Sequence, residues 1–170
     1  KNSTLFPKFD DQAVADLRRS LLKYLDEVVW EKGGTLDDLI QAREIPLNRE
    51  LASYYGVKNV RDSNFTDFPL YSGGEFGRQG LFTHPYLLAN YSYTNQTSPI
   101  HRGVFVARKI LGRRLRPPKE AISFKNSDFD PNWTMRQKVT ALTKPANCMT
   151  CHDLINSAGF LLEGYDATGR

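Results

Sequence analysis

Two cysteines and a histidine form the most distinctive cluster of reactive residues in this sequence. Cys148, Cys151 and His152 make a Cys-x-x-Cys-His motif, which is typical of c-type haem attachment. Two thiols three positions apart lie on one helical turn, so each can form a thioether with a haem vinyl group. The imidazole that follows can then bind the iron as the proximal ligand. The motif therefore predicts one covalently bound haem c per chain.

The same two residues are the whole cysteine complement of the chain, and other uses of them remain open. A disulfide across so short a loop would restrict the unfolded chain very little. A thioredoxin-like redox pair needs a preceding strand in a βαβ context, which the surrounding sequence does not resemble. A structural zinc site needs four ligands, and only one Cys-x-x-Cys pair is present. Haem is favoured over a redox pair, a zinc site and a chance match.

A second axial ligand for the iron would have to come from upstream, because neither His nor Met follows the motif. The candidates are His84, His101 and Met135, and an open iron position is the fourth alternative. Met135 also has a structural interpretation, because it sits on an apolar helix face where packing is more common than ligation. Arg102 beside His101 is a candidate contact for a haem propionate.

The distal position would decide the function. Two strong axial ligands favour electron transfer, whereas an open position permits peroxide or oxygen chemistry. The leading hypothesis is a haem domain that relays electrons to a redox partner protein or an adjacent domain. The alternative is a haem enzyme, peroxidase-like or carbohydrate-oxidising, in which His84 or Tyr93 lines a distal pocket. A haem with a purely structural role is a third hypothesis, and whether the chain is an enzyme stays open.

The chain has a formal net charge of +4 and a local excess of basic residues after its middle. These residues are Arg108, Lys109, Arg113, Arg114, Arg116 and Lys119. We interpret them first as a solvated helix end with a basic loop, and second as a docking site for an acidic partner or the haem propionates. Base-stacking aromatic residues are not interleaved, so nucleic-acid binding is not expected. No apolar run approaches the roughly 18 residues of a membrane-spanning helix, so no transmembrane segment is expected.

Hydrophobic spacing and capping residues predict a mainly α fold, cytochrome c-like, with helices and long loops around one covalently bound haem. The predicted helices cover 11–31, a short segment from Thr35, the segment from Pro46 or Asn48 to Gly56, 80–92, Ser98 to about Leu111, a helix capped by Thr134, and a last helix from Cys148 to about Leu154. The composition of residues 57–78 predicts an irregular loop with room for a short hairpin. The composition of residues 113–133 predicts a long connection.

We expect a single haem-binding domain over residues 1–170. Its predicted parts are a helical N-terminal part (1–56), a loop-rich middle with two helices (57–133) and a haem-attachment part (134–170). The first residue is Lys1 and the last is Arg170, from which we expect a fragment of a longer chain.

Residues 148–170 resemble the C-terminal cytochrome c-like domain of large secreted proteins from planctomycete bacteria, a largely uncharacterised family. Residues 80–85, 97–103 and 134–136 resemble further signatures of the same family, and the likeness covers roughly 45–170. The first helix is similar to the end of the preceding family segment. Relatives carry Asn-Pro-Leu-Gly-Phe where this chain has the residues 156–160 with Ser-Ala in place of Pro-Leu. The resemblance implies a periplasmic or secreted haem protein that transfers electrons within a larger oxidoreductase.

Overall fold

The computed structural model describes residues 1–62, 64, 66–116 and 124–170, and this part of the chain is mainly helical, as predicted. The helices are α1 (Asp11–Leu25), α2 (Leu36–Gln41), α3 (Arg49–Tyr54), α4 (Pro85–Asn90), α5 (Pro99–Phe105), α6 (Met135–Thr143) and α7 (Ala146–Phe160). The strands are β1 (Glu44–Pro46) and β2 (Leu70–Ser72). Lys119 and part of the predicted 113–133 connection lie outside the described residues.

The chain divides into two compact units. Unit 1 contains Lys1–Asn90 together with Tyr165–Arg170, and unit 2 contains Tyr91–Gly164. The chain therefore leaves unit 1 after Asn90 and returns to it at Tyr165. Among the described residues, no helix is both long enough and apolar enough to cross a membrane.

Helix α1 forms where the sequence predicts it, and Asp10 is its N-cap. The carboxylate of Asp10 accepts a hydrogen bond from the Ala13 amide, which satisfies one of the free donors of the first turn. Leu17 and Tyr24 recur on one face and are buried, so that face packs against the rest of unit 1. The helix continues as a π-helical segment over Asp26–Glu31, which together with α1 covers the predicted 11–31.

The caps of the next two helices also follow the prediction. Thr35 and Asp38 form a reciprocal capping box at the start of α2, and the Asn48 side chain accepts from the Leu51 amide at the start of α3. The strand β2 lies within the predicted loop, but its partner is β1 and not a strand of the same loop. Ile45 pairs with Tyr71, and both are buried in the unit 1 core, which explains this long-range pairing.

Unit 1 holds a continuous hydrophobic core. Its buried members are Phe9, Leu17, Ile45, Leu47, Leu51, Ala52, Tyr55, Val57, Tyr71 and Ala89. Residues 165–170 are tied to this unit by hydrogen bonds: the hydroxyl of Tyr54 donates to Thr168 Oγ1 over 3.0 Å, and that of Tyr55 to the Thr168 carbonyl over 2.9 Å. The buried Arg78 donates to the Gly169 carbonyl. The segment is therefore an integral part of unit 1.

Unit 2 is organised around the close packing of α5 against α7. A Cβ atom at Gly103 would lie 1.9 Å from the Ile155 carbonyl oxygen, and one at Gly159 would lie 2.0 Å from that of Pro99. Only glycine permits so close an approach of two helix backbones. Helix α5 begins with Ser98 as N-cap and Pro99 in its first turn, as predicted, and continues as a π-helical segment over Val106–Ile110.

Candidate functional site

The Cys-x-x-Cys-His motif lies in the first half of α7, and the prediction that a helix carries it is confirmed. This helix begins at Ala146, after Pro145. Cys148, Cys151 and His152 are all half-buried, and both cysteines are free thiols. Their spacing of three and four positions places the three side chains on one face of the helix. Neither thiol would have to break a disulfide bond before forming a thioether.

His152 has a hydrogen-bonding partner one helical turn further along. Its Nδ1 atom lies 3.1 Å from Asn156 Oδ1. Asn156 Nδ2 in turn lies 2.8 Å from Thr143 Oγ1, and Thr143 Oγ1 lies 2.8 Å from the Val139 carbonyl oxygen on α6. Sequence reasoning missed this chain of contacts, although the four-residue spacing of His152 and Asn156 on a predicted helix was a signal for its first step.

Two of the predicted distal-ligand candidates belong to unit 2, like the motif. His101 is exposed in the first turn of α5, and the centroid of its ring lies 5.0 Å from that of Tyr93. Met135 is the first residue of α6 and is half-buried. Both stay predictions as ligands.

The third candidate, His84, belongs to unit 1 and is fully buried there. Its Nε2 atom lies 3.2 Å from Ser20 Oγ, and its Nδ1 atom accepts a hydrogen bond from the Tyr86 amide over 3.3 Å. Burial, followed by the positive charge of Arg78, lowers the pKa of His84 to about 3. Ligation of iron by either ring nitrogen would require one of these hydrogen bonds to break.

Arg102, the predicted propionate contact, is almost completely buried in unit 2. Its guanidinium donates to the Leu162 carbonyl over 2.5 Å and to Ser92 Oγ over 2.9 Å. Glu163 Oε1 lies 3.9 Å from the same guanidinium. Burial raises the pKa of the Glu163 carboxyl group, against the opposing effects of Thr97 and Arg102. In this arrangement Arg102 ties α5 to the chain that follows α7, and its contact with a propionate stays a prediction.

Unit 2 differs from unit 1 in how little apolar surface it buries. Among its described residues, 91–116 and 124–164, the buried hydrophobic side chains are Ala107, Val139 and Ile155. Large apolar side chains remain half-buried, and these are Tyr91, Tyr93, Phe105, Phe124, Phe129, Leu142, Leu154, Phe160 and Leu162. Half-buried aromatic and aliphatic side chains are the kind that line sites for flat apolar groups, so the described residues fit a haem.

Several of those aromatic side chains form a row. Consecutive ring centroids lie 5.9 Å apart from Tyr93 to Phe124, 5.5 Å from there to Phe129 and 6.3 Å from Phe129 to Trp133. The first two pairs are stacked, with interplanar angles of 14° and 20°. Aromatic rows of this kind can cover the face of a planar ligand. Among the described residues, no group of three or more His, Cys, Asp or Glu side chains could hold a metal ion.

Comparisons with known proteins identify the family. No curated protein and no solved structure matches the chain. The family PSD4, described as a protein of unknown function (DUF1592), matches residues 1–57, in keeping with the expected preceding family segment. PSCyt3, described as a protein of unknown function (DUF1588), matches residues 78–170, which is more than half of the chain. The chain therefore belongs to PSCyt3, a family of planctomycete cytochrome c-like domains.

Proposed function

We propose that this chain is a c-type cytochrome domain that binds one haem covalently and relays electrons. Cys148 and Cys151 would form the two thioethers, and His152 would bind the iron as proximal ligand. The observation that carries the proposal is the position of the three side chains on one face of α7, half-buried, with both thiols free. The half-buried apolar side chains among the described residues of unit 2 suit a flat apolar group and also support it.

A bound haem would supply one-electron oxidation and reduction at its iron. The protein's own residues would perform two tasks around it. The two cysteines would retain the group, so that retention does not depend on a deep pocket. His152 would bind the iron on its proximal side.

The basic segment after α5 supports electron exchange with an acidic partner. Its described members are all exposed, and these are Arg108, Lys109, Arg113, Arg114 and Arg116. Concentrated charge of one sign steers association with a surface of the opposite sign and makes the rate depend on salt. We propose a redox partner protein or an adjacent domain with an acidic surface, in the periplasm or outside the cell. The resemblance supports a position at the C-terminal end of a large secreted oxidoreductase.

The central test is covalent attachment. The chain is expressed together with a c-type haem maturation system, and its intact mass and pyridine haemochrome spectrum are measured. We expect a mass increase of one haem and the spectrum of two thioether bonds. Cys148→Ser should give the spectrum of one thioether bond, and the Cys148→Ser/Cys151→Ser double variant should carry no covalent haem. An unmodified mass for the unsubstituted chain would refute the proposal.

The sixth ligand is tested by carbon monoxide and by single substitutions. A low-spin ferrous protein that does not bind carbon monoxide would support electron relay, and one that binds it would support an enzyme with an open distal site. Of His84→Gln, His101→Gln and Met135→Leu, only the variant that removes the ligand should convert the spectrum to high spin. Unfolding measurements on each variant separate loss of a ligand from loss of structure.

A further inference from the structure

The hydrogen-bond chain behind His152 runs from the Asn156 amide through the Thr143 hydroxyl to a backbone carbonyl of α6. It ends at the Val139 carbonyl oxygen, which can only accept a hydrogen bond. The Thr143 hydroxyl donates its single proton to that oxygen over 2.8 Å. Because Thr143 Oγ1 has given away its only proton, it can only accept a hydrogen bond from the next group.

That next group is the side-chain amide of Asn156. Because Thr143 Oγ1 accepts, the atom of Asn156 that lies 2.8 Å from it must be the amide nitrogen. The carbonyl oxygen of the same amide then faces His152 Nδ1 at 3.1 Å. An acceptor at that position places the proton on Nδ1 and leaves the lone pair of His152 on Nε2.

Burial prevents water from replacing either partner. The exposed fractions are 1% for Val139, 3% for Thr143 and 7% for Asn156. A flipped Asn156 amide would bring its oxygen to Thr143 Oγ1, and the Thr143 hydroxyl would have to turn away from the Val139 carbonyl to donate to it. The observed orientation pairs the amide and keeps the hydroxyl bond to Val139, and each buried polar group left without a partner would cost about 1–3 kcal/mol.

We propose that Asn156 and Thr143 are positioning residues that hold His152 in the tautomer and orientation that ligates haem iron through Nε2, an inference that rests on the proposed haem attachment. A hydrogen bond accepted from Nδ1 makes the imidazole a stronger donor to a metal. The relay therefore stabilises the oxidised iron and lowers the reduction potential. Thr143 acts only through Asn156, and Asn156 only through His152.

The inference predicts shifts of opposite sign. In the haem-loaded full chain, Asn156→Leu removes the acceptor, so the midpoint potential should rise and the Fe–His stretching frequency of the ferrous protein should fall. Asn156→Asp supplies a stronger, charged acceptor to which the Thr143 hydroxyl can turn, so both quantities should move the other way. Thr143→Val should resemble Asn156→Leu with a smaller shift, because the amide loses its anchor.

Two matched variants separate positioning from folding. Thr143→Ser keeps the hydroxyl and should restore the potential and the stretching frequency that Thr143→Val loses. Ser157→Ala alters the neighbouring, exposed residue of α7, whose hydroxyl donates to the Asp153 carbonyl, and should change neither quantity. Should Asn156→Leu fail to fold, the comparison of Thr143→Val with Thr143→Ser still decides.

The failure of this inference is distinguishable from that of the proposed function. An unsubstituted chain that carries no haem by intact mass would overturn the proposed function and the relay together. Covalent haem with the same potential and the same stretching frequency in Asn156→Leu, Asn156→Asp and Thr143→Val would overturn the relay alone. Shifts of opposite sign in the leucine and aspartate variants, with rescue by Thr143→Ser, would support it.

Discussion

The three histidines show how far residue type is from residue role. His152 is half-buried with its Nδ1 atom at Asn156, His101 is exposed beside Tyr93, and His84 is fully buried with both ring nitrogens in hydrogen bonds. Sequence reasoning could propose a ligand role for His152 because two cysteines precede it. It could not distinguish His84 from His101, since burial depends on contacts with residues far away in the chain.

The buried histidine predicts a pH-dependent stability of unit 1. An unfolded His84 takes up a proton as the pH falls below about 6.5, whereas burial and Arg78 lower the pKa of the folded residue to about 3. Between these pH values the unfolded state binds more protons than the folded state. The free energy of unfolding therefore falls by up to about 1.4 kcal/mol for each unit by which the pH decreases. The His84 contribution is complete above pH 6.5 and is lost as the pH decreases towards 3.

Urea unfolding at pH 7, 6, 5 and 4 measures this dependence. His84→Gln lacks the titrating group and should show a shallower loss of stability over the same range. His101→Gln is the matched control, because it removes an exposed histidine, and it should keep the slope of the unsubstituted chain. Equal slopes for the His84→Gln variant and the unsubstituted chain would contradict the assignment.

The motif was predictable from sequence and its relay was not, for a physical reason. Cys148, Cys151 and His152 are local, so one helical turn brings them together. Thr143 precedes Asn156 by thirteen residues and lies on another helix, with Pro145 between them. Only the packing of α6 against α7 decides that their side chains meet.

At the scale of elements, local signals predicted helix starts well. Asp10, Thr35, Asn48, Ser98 and Thr134 all cap helices with their side chains, because capping needs only the next three amides. The pairing of β1 with β2 was missed, because a strand's partner depends on the common core and not on adjacent sequence.

The close packing of α5 against α7 predicts that a glycine-to-alanine substitution there destabilises the protein strongly. In Gly103→Ala and in Gly159→Ala, the new Cβ would meet a backbone carbonyl oxygen at 1.9 or 2.0 Å, which only a shift of α5 from α7 can relieve. We expect each to lower the free energy of unfolding by about 1–3 kcal/mol or more. Thermal or urea unfolding checks this.

Gly164→Ala is the control for that experiment. A Cβ atom at Gly164 would meet nothing within 4 Å, and its backbone is not left-handed. This substitution should therefore leave the stability nearly unchanged. If all three alanine variants unfolded at the same urea concentration as the unsubstituted chain, the close approach of the two helices would be wrong.

At the scale of the whole molecule, the described structure comprises two compact units, and the single haem-binding domain over 1–170 stays a prediction. The sequence offers no local signal for this division, because unit 1 is assembled from segments at both ends of the chain. Tyr54 and Thr168, for example, are in contact although 114 positions separate them. Sequence patterns such as helix periodicity and turn motifs report on residues that are close in the chain, so they give no sign of this contact.

The last segment predicts a measurable contribution to unit 1. Asp166 Oδ1 accepts hydrogen bonds from the Thr168 amide over 2.8 Å, from the Thr168 hydroxyl over 2.7 Å and from the Arg170 amide over 2.9 Å. Asp166→Ala removes all three, so residues 165–170 should lose their conformation and their bonds to Tyr54 and Tyr55. Hydrogen exchange should show reduced protection of the α3 amides. Their protection factors should fall about tenfold for every 1.4 kcal/mol by which the free energy of opening decreases.

Asp153→Ala is the control, since it removes an exposed carboxylate of α7. Its α3 amides should exchange at the rate of the unsubstituted chain. Unchanged α3 protection in Asp166→Ala would mean that residues 165–170 do not stabilise unit 1.

Ribosomes synthesise the chain from its amino end, so residues 148–152 are made before residues 165–170. The motif in α7 is therefore made while unit 1 still lacks the segment that Tyr54, Tyr55 and Arg78 bind. Domains fold as their residues become available during synthesis. The topology thus orders two events: under the proposed haem attachment, Cys148 and Cys151 would be available to a maturation enzyme before unit 1 is complete.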